Sequence, residues 1–316
     1  MKKWADKPYY ALDHYLKTTY GEKIYKIALD ADMTCPNRDG TLSTGGCIFC
    51  SAGGSGEFAS KAAPSIREQL ENGKKLFGDK ITGTRYIAYF QSYTNTYAPT
   101  ERLSALFTES LLEPNVVGIS IGTRPDCISQ DCIALLVDLK KRFPDKFIWI
   151  ELGLQTIHDD TARIINRGYK TECFDKTVQA LHEANIPVIV HLIIGLPGED
   201  MTHNLASVKH LNSLKIEGIK LHMLHVIDGT ALAKNPALYP TITKEQYIDI
   251  LITLLEHLSD KTIVHRLTGD GPKQLTIAPK WSLNKRDVFN TLHSTMIKRK
   301  TWQGRYYIEP DTTHSL

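Results

Sequence analysis

The sequence predicts an α/β protein built on a parallel sheet, either an incomplete (β/α)6 barrel or a doubly wound sheet. Six short segments rich in Ile, Val, Tyr and Phe alternate with amphipathic, helix-like segments. This alternation implies parallel strands joined by right-handed helical crossovers. A loop with three cysteines follows the first strand-like segment. In both folds the chemistry is expected at the carboxyl ends of the strands.

The elements follow one another along the middle of the chain. Predicted strands cover residues 23–31, 85–92, 116–123, 147–156, 186–196 and 218–226. Predicted helices cover residues 64–77, 100–112, 129–141, 171–184, 201–213 and 243–257. Thr100, Ser129 and Thr171 are candidate N-caps because polar first turns follow them. We predict an N-terminal segment (1–22), a core (23–260) and a C-terminal extension (261–316) with one short strand at 262–267 and one basic helix.

Composition narrows the class of protein. The chain has 316 residues, of which 42% are hydrophobic, and no apolar run approaches a membrane span of about 18 residues. The first residues are polar and lack the apolar stretch of a signal peptide. We therefore expect a soluble cytoplasmic protein that does not contact membranes. In that compartment the six cysteines are reduced thiols or metal ligands rather than disulfides.

Charge is unevenly distributed. Residues 280–308 carry seven Lys or Arg and one Asp, a net charge of +6, whereas the whole chain carries +3. A basic segment beside a body of opposite net charge is typical of a phosphate-binding surface, although a solvated surface produces the same pattern.

The strongest motif is the spacing Cys-x11-Cys-x2-Cys formed by Cys35, Cys47 and Cys50. Thiolates are soft ligands that suit iron–sulfur clusters or zinc. Three cysteines leave one iron of a cubane cluster open to a small molecule, whereas a structural zinc site needs a fourth ligand, such as His14. Both alternatives stay open on spacing alone. The other cysteines, Cys127, Cys132 and Cys173, show no such grouping and are interpreted as small buried side chains. For Cys127, which follows Arg124-Pro-Asp near a strand end, a position facing the active site is the alternative.

The run from Cys35 to Cys50, followed by Gly53-Gly-Ser-Gly, resembles the radical S-adenosylmethionine (SAM) superfamily over roughly residues 20–260. The long first gap is similar to the Elp3-like branch of tRNA enzymes, and the whole motif is similar to the bacterial YhcC/YtqA (MnmL) family. The resemblance implies an incomplete (β/α)6 TIM-like barrel, the radical SAM core, with a small basic C-terminal extension. It also implies a [4Fe–4S] cluster on the three cysteines, and SAM as second cofactor.

The resemblance further assigns residues to SAM. Phe49 corresponds to the aromatic position near the adenine. Gln91, Ser92 and Asn95 stand at the end of the second strand, where many relatives have a Gly-Gly-Glu motif. Glu151 and Gln155 share one face of the fourth strand. Arg167 matches an arginine that reaches the SAM carboxylate, which its planar fork suits; an ordinary surface pair with Gln155 is the alternative.

Three histidines complete the predicted site. His191 stands where relatives have an Asp that bonds the SAM ribose, although a lone strand histidine also suits a core position. His222 and His225 on the sixth strand are candidates for proton transfer near the substrate, because an unperturbed imidazole titrates near pH 6.5. Packing in the core is the alternative for each of them.

The function implied by the resemblance is reductive cleavage of SAM to a 5′-deoxyadenosyl radical that takes hydrogen from a substrate. The implied substrate is a tRNA wobble uridine, whose carboxymethylaminomethyl group is remodelled towards aminomethyl. The implied partners are tRNA, a reductant such as flavodoxin or ferredoxin, and a separate tRNA methyltransferase. The alternatives are a radical SAM enzyme acting on a small molecule or tetrapyrrole, and a zinc-stabilised RNA-binding module.

Overall fold

A computed structural model of the chain describes residues 1–54, 65–78, 82–240, 242–269 and 271–310. The strands are β1 (Tyr25–Leu29), β2 (Tyr86–Phe90), β3 (Val116–Thr123), β4 (Phe147–Gln155), β5 (Val188–Ile194), β6 (Gly218–Met223), β7 (Val226–Ile227), β8 (Ile263–Arg266) and β9 (Thr276–Ala278). The helices are α1 (Leu12–Tyr20), α2 (Ile66–Lys75), α3 (Thr100–Leu112), α4 (Gln130–Arg142), α5 (Asp159–Ile164), α6 (Thr171–Glu183), α7 (Met201–Ser213), α8 (Lys244–His257) and α9 (Lys285–Lys298). The start of the first predicted helix at residue 64, the Ser55-Gly56 end of the cysteine motif and residues 311–316 lie outside the described residues.

The main sheet has seven strands in the order β1-β2-β3-β4-β5-β6-β8. The six predicted strands follow one another in chain order, as they do in an incomplete (β/α)6 barrel, so the predicted fold class is confirmed. The short strand predicted in the extension is also confirmed, and it pairs in parallel with β6 as the seventh strand of the sheet. A separate two-stranded antiparallel sheet joins β7 to β9.

The central strands are apolar because both of their faces are covered. All five residues of β2 are buried, and seven of the eight residues of β3 are buried. A parallel strand covered on both sides shows a continuous apolar run rather than alternation. The Ile-rich and Val-rich segments of the sequence were therefore a sound basis for predicting strands.

Helix starts were predicted less well than helix bodies. The Ser129 hydroxyl accepts a hydrogen bond from the Cys132 backbone N–H at 3.1 Å, as expected of an N-cap. Thr100 and Thr171 are not caps, because each is the first helical residue and Pro99 or Lys170 precedes it without a capping side-chain bond. At both places the polar first turn misled the prediction by one residue.

The chain divides into two compact units. The first, here the cysteine-loop unit, comprises Leu16–Gly153 and Asn166–Ile189. It contains β1, β2 and β3, and its core includes the Phe90 and Phe107 rings, which meet edge to face with centroids 5.2 Å apart. This geometry is one that aromatic pairs prefer in protein interiors.

The second, here the C-terminal unit, comprises Met1–Tyr15, Leu154–Ile165 and Val190–Leu316. Helix α9 buries Val288, Leu292 and Met296. The fully buried Gln303 side chain donates to the Ser259 and Thr262 carbonyls at 2.6 and 2.8 Å. The chain around Gln303 is therefore fixed within this unit. The boundaries predicted at residues 22 and 260 remain predictions.

No helix in the described ranges is long and apolar enough to cross a lipid bilayer.

Candidate active site

The loop after β1 carries Cys35, Cys47 and Cys50, and all three side chains are partly exposed. Two tight turns shape it, because the Arg38 N–H donates to the Cys35 carbonyl at 2.8 Å and the Cys50 N–H donates to the Cys47 carbonyl at 2.9 Å. In the described parts of the chain, no three His, Cys, Asp or Glu side chains are placed to hold a single metal ion.

Arg38 holds the end of this loop. Its Nη2 atom donates to the carbonyl oxygens of Cys50 and Ser51, both at 2.6 Å. The Gly46 backbone passes close to the same side chain, with φ at +69°, and a Cβ atom there would lie 2.8 Å from Arg38 Nε. Only glycine meets both the left-handed conformation and the close approach. Gly46 therefore belongs to the architecture of the loop.

Asn37 connects the cysteine loop to a distant turn. Its Nδ2 atom donates to the Asn166 carbonyl at 2.6 Å and lies 3.7 Å from Cys47 Sγ. Asn166 returns a bond through its own Nδ2, which donates to the Gly46 carbonyl at 2.7 Å. The Asn37 Oδ1 atom is buried and has no hydrogen-bond partner among the residues described. An orphaned acceptor beside the cysteines is a place for a donor group of a ligand.

The environment of the Cys47 thiol disfavours its ionised form. Burial raises its pKa to about 12, and the neighbouring Cys50 and Cys35 also raise it, while Arg124 and Asn37 oppose them. The three sulfurs are thus close enough to influence one another. A thiolate in this place needs a positive partner, and bound metal ions supply one by deprotonating the thiols that coordinate them. Three soft donors that share one environment fit an iron–sulfur cluster.

Cys127 follows β3 and comes close to the same loop. Burial raises its pKa, and nearby Asp126 and Cys35 raise it further. Cys132 is buried on α4, where burial also raises the thiol pKa. Both remain neutral thiols at pH 7. The interpretation as a buried side chain is confirmed for Cys132, whereas Cys127 and Cys173 are partly exposed.

The residues predicted at the end of β2 differ in burial. Ser92 and Asn95 are buried, whereas Gln91 is partly exposed, as is Phe49 in the cysteine loop. Asn95 Nδ2 donates to the Gly122 carbonyl at 2.9 Å, whereas Asn95 Oδ1 is buried and lacks a partner within the described ranges. This amide oxygen therefore keeps an unused capacity to accept a hydrogen bond.

Glu151 is fully buried in the cysteine-loop unit and is already bonded. Its Oε1 atom lies 2.5 Å from Lys26 Nζ and accepts from the Ser120 hydroxyl at 2.6 Å. The Lys26 ammonium also lies 4.9 Å from the Tyr89 ring centroid and 5.6 Å from that of Trp149. Paired buried charges are costly to separate, so Glu151 is held in one place by its partners. Sequence analysis did not identify Lys26 as that partner.

Arg167 is one of the largest fully buried side chains of the protein. Its Nε atom donates to the Tyr169 carbonyl at 3.0 Å, and its Nη2 atom donates to Thr171 Oγ1 at 3.3 Å. The guanidiniums of Arg167 and Arg124 both lie within 5 Å of the Tyr169 ring centroid, at 4.6 and 4.8 Å. Arg124 also donates to the Arg167 carbonyl at 2.9 Å. Arg167 is therefore rigidly positioned, as a residue that orients a carboxylate must be.

In the C-terminal unit, Gln155 ends β4 with φ at +63°. This left-handed conformation is strained for a residue other than glycine, and such strain clusters at functional sites.

His191 and His222 stack with ring centroids 5.4 Å apart and planes 21° apart. Burial is the main cause that lowers the pKa of His222 well below its ordinary value.

The His225 side chain packs against its neighbours and contacts the Ser282 hydroxyl. Its Nε2 atom lies 2.9 Å from the Ser282 hydroxyl, and burial lowers its pKa to about 4. A Cβ atom at Gly269 would lie 2.4 Å from the His225 ring, so the ring fills that space. His222 on β6 and His225, which lies after β6 rather than on the strand predicted at 218–226, are thus neutral near pH 7. Their proposed role in proton transfer remains a prediction.

Comparison with known proteins identifies the family to which the chain is similar. Residues 40–211 match the family model of the radical SAM superfamily, and residues 216–298 match that of the Radical_SAM C-terminal domain. The uncharacterized protein YtqA of Bacillus subtilis is 40% identical over 96% of this chain and 94% of its own length. Protein YhcC of Escherichia coli is 36% identical over 85% of this chain and 86% of its own length.

More distant relatives share part of the chain. Elongator complex protein 3 of Schizosaccharomyces pombe is 26% identical over 66% of this chain and 40% of its own length. The solved structure of an Elp3 from Methanocaldococcus infernus has a TM-score of 0.63 at 18% identity, covering 92% of this chain and 69% of its own. At that identity the likeness establishes the fold.

Proposed function

Because this chain belongs to the radical SAM superfamily and to its Elp3-like branch, we propose that it modifies the wobble uridine of a tRNA, remodelling a carboxymethylaminomethyl group towards aminomethyl. It is an enzyme whose cofactors are a [4Fe–4S] cluster and SAM, and it requires a reductant. When bound, these cofactors together supply a 5′-deoxyadenosyl radical that abstracts hydrogen from the substrate. Membership favours this enzyme over a zinc-stabilised RNA-binding module.

We assign the cluster to Cys35, Cys47 and Cys50. The spacing of these three thiols in one loop after β1 supports this, because iron–sulfur clusters are held by cysteine thiolates. Asn37 Nδ2, 3.7 Å from Cys47 Sγ, adds an N–H donor beside one ligand. Hydrogen bonds to cluster sulfurs are among the factors that set a cluster's reduction potential.

SAM is assigned to the residues beside this loop. Asn95 Oδ1 offers an unused acceptor for a SAM ammonium or hydroxyl group. Arg167, held by Tyr169 and Thr171, serves the carboxylate. Phe49, Gln91, Ser92, Gln155 and His191 remain predicted contacts. Glu151 takes a positioning role, since Lys26 and Ser120 occupy its carboxylate.

The observation that carries the tRNA substrate is the exposed basic end of α9. Lys298, Arg299 and Lys300 are exposed, as is Arg286 at the other end of the helix. One of these charges is paired, since Arg299 Nη2 lies 2.6 Å from Asp249 Oδ1. A cluster of exposed cations in a relative of Elongator complex protein 3 suits a polyanion better than a small metabolite.

The aromatic residues after α9 pack against neighbouring groups, and one of them, Tyr306, is also exposed to solvent. The Arg305 guanidinium lies 5.3 Å from the Trp302 ring centroid and 5.2 Å from that of Tyr306. The Tyr306 N–H donates to the Glu256 carbonyl at 2.7 Å, while 49% of the residue is exposed. The exposed part of Tyr306 is the best placed of these rings to stack on an unpaired base.

Mass spectrometry of tRNA nucleosides from a deletion strain tests the reaction. Accumulation of the carboxymethylaminomethyl nucleoside is expected, and an unchanged nucleoside profile would refute the proposed function.

Binding is tested separately with the triple variant Lys298→Ala, Arg299→Ala and Lys300→Ala. Its tRNA affinity should fall, and the slope of log affinity against log salt should flatten by about 2 to 3 units. The matched control removes the same three charge types from the end of α4, at Lys140, Lys141 and Arg142, and should keep the wild-type slope. A wild-type slope in the α9 variant would favour a small-molecule or tetrapyrrole substrate.

A further inference from the structure

An open groove, here the Trp281 groove, lies where the first turns of α8 and α9 meet in the C-terminal unit. Its volume is about 590 Å³, which is in the range of pockets that bind small ligands. Pro240 and Ile242 line it before the start of α8, and Trp281 and Asn284 line it before the start of α9. The groove therefore combines apolar lining with an aromatic ring.

The Trp281 side chain is held in place by packing and is still partly exposed. Its ring centroid lies 5.3 Å from that of Tyr247, and the two ring planes are tilted by 43°. Tyr247 is fully buried, and its hydroxyl donates to the Leu267 carbonyl at 2.9 Å. The ring against which Trp281 packs is therefore fixed. A rigid aromatic ring that lines a groove is a surface on which another planar ring can stack.

Polar groups at the two helix starts supply hydrogen-bonding capacity in the groove. Lys244 Nζ lies 2.8 Å from Asp287 Oδ2, so an ion pair joins the first turn of α8 to the first turn of α9. Asn284 caps α9 through its Oδ1 atom, which accepts from the Asp287 N–H at 3.3 Å. Ammonium, carboxylate and amide groups provide donors and acceptors at defined positions, as recognition of the edge of a nucleobase requires.

Two exposed cations flank these groups. Lys280 directly precedes Trp281, and Arg286 directly precedes Asp287. Lys280 Nζ donates to the neutral Thr276 carbonyl at 2.5 Å. Neither cation forms an ion pair with a residue in the described ranges. Cations that flank an aromatic groove are typical of sites that bind single-stranded nucleic acid, where the bases stack and the phosphates contact Lys or Arg.

The Trp281 groove lies beside the edge of the sheet where the chemistry is expected. Gly195 directly follows β5, and a Cβ atom there would lie 3.3 Å from both Ile242 Cδ1 and Pro240 Cβ. The apolar lining of the groove is therefore packed against the carboxyl end of β5. Active sites of parallel β/α barrels lie at this end of the strands.

We propose that the Trp281 groove binds one unpaired nucleotide of an RNA. The base stacks on the Trp281 ring, the polar groups at the helix starts bond the edge of the base, and Lys280 and Arg286 attract the phosphates. A base paired within a duplex cannot stack on the ring in this way, so the groove selects single-stranded RNA.

The charge distribution along α9 favours an RNA over a free nucleotide. Exposed cations stand at both ends of this helix, with Arg286 at the start and Lys298 at the end. The 12 residues between these positions correspond to about 18 Å, a distance that a polyanion spans and a mononucleotide does not. The identity of the RNA rests on the proposed function, under which the bound nucleotide is a neighbour of the wobble uridine.

The first experiment measures binding of fluorescently labelled hexauridine to the holoenzyme by anisotropy, with an RNA duplex of the same length as comparison. The wild-type protein should bind the single strand more tightly than the duplex. Trp281→Leu should weaken single-strand binding at least about fivefold, because the stacking contribution is lost, and should leave duplex binding unchanged. The variant Lys298→Ala, Arg299→Ala and Lys300→Ala should instead weaken both.

Two further variants control for packing and for tryptophan loss in general. Trp281→Phe keeps an aromatic ring against Tyr247 and should retain most of the single-strand affinity. Trp4→Leu removes another partly exposed tryptophan of the same unit, whose ring centroid lies 5.1 Å from Lys2 Nζ, and should bind like the wild type. The thermal unfolding midpoint identifies any variant that has lost its fold, and Trp281→Phe then provides the comparison.

Three results would overturn the proposal. The first is wild-type binding of the duplex as tightly as the single strand. The second is wild-type affinity for hexauridine in Trp281→Leu. The third is uridine 5′-monophosphate that binds as tightly as hexauridine, since the groove would then be a site for a free nucleotide.

The second experiment separates this proposal from the proposed function. An anticodon stem-loop with 4-thiouridine next to the wobble position is crosslinked to the holoenzyme, and the modified peptide is identified by mass spectrometry. Crosslinking within residues 280–287 is expected, and its absence alongside tight stem-loop binding would overturn the placement of that nucleotide. Hexauridine binding that depends on Trp281 supports the groove even when the deletion strain keeps an unchanged nucleoside profile, in which case the proposed function is what fails.

Discussion

The cysteine loop provides a sharp test because two adjacent glycines differ in their surroundings. At Gly46 the backbone φ is +69° and a Cβ atom would lie 2.8 Å from Arg38 Nε. At Gly45, φ lies outside the left-handed region, and a Cβ atom would meet no atom within 4 Å. Gly46→Ala should therefore disturb the loop, and Gly45→Ala should not.

The magnitude follows from two contributions. A non-glycine residue in the left-handed region costs about 1–2 kcal/mol. Displacing Arg38 weakens its bonds to the carbonyls of Cys50 and Ser51, and losing one hydrogen bond from a charged group costs about 1.5–3 kcal/mol. We expect Gly46→Ala to destabilise the loop by about 2.5–5 kcal/mol.

The assay measures iron and sulfide per chain after anaerobic reconstitution, together with the rate at which a chelator removes the iron. The wild-type protein and Gly45→Ala should bind four irons and four sulfides, whereas Gly46→Ala should bind fewer and lose them faster. Equal iron content and equal loss rates in the two alanine variants would refute the role assigned to Gly46 and Arg38.

Three further predictions concern single residues. Cys47→Ala should abolish SAM cleavage, measured as 5′-deoxyadenosine, whereas Cys132→Ala on α4 should not; full product from Cys47→Ala would contradict the cluster assignment. Arg167→Ala should weaken SAM binding about 10- to 100-fold with the iron content unchanged, and an unchanged SAM dissociation constant would remove Arg167 from the site. Burial lowers the pKa of His225 to about 4, so the stability that its neutral ring contributes is complete above about pH 6.5 and is lost as the pH falls towards 4. The fall in unfolding free energy over that range should be smaller in His225→Asn, and an equal fall would show that His225 does not cause it.

Local patterns in the sequence were sufficient to predict most elements. The bounds of β3 and α3 match the prediction to the residue, because each is a continuous apolar or amphipathic segment. The extension at 261–316 was harder, because nothing in the four residues of β8 shows that they pair with β6. Pairing of strands that lie far apart in sequence depends on the register of the whole sheet rather than on the strand itself.

The cysteines were predictable from spacing, whereas the residues that support them were not. Asn37 and Arg38 lie inside the motif, yet their importance depends on the Asn166 carbonyl, 129 positions away from Asn37, and on the path of the Cys50 backbone. The partnership of Lys26 with Glu151 spans 125 positions. Such contacts leave no periodic signal, since one polar residue in a strand or loop is compatible with many partners.

The structure makes the predicted cluster loop and the predicted SAM arginine parts of one network. Asn37 and Asn166 exchange bonds that tie the loop at Gly46 to the turn that precedes Arg167. Arg124, the residue after β3, closes the network, since its guanidinium donates to the Arg167 carbonyl. The residues of this network are buried or half-buried, and a buried polar group that loses its hydrogen-bond partner destabilises the protein. A disturbance of the cysteine loop should therefore reach Arg167, so cluster retention and SAM affinity are expected to change together even when neither a cysteine nor Arg167 is substituted.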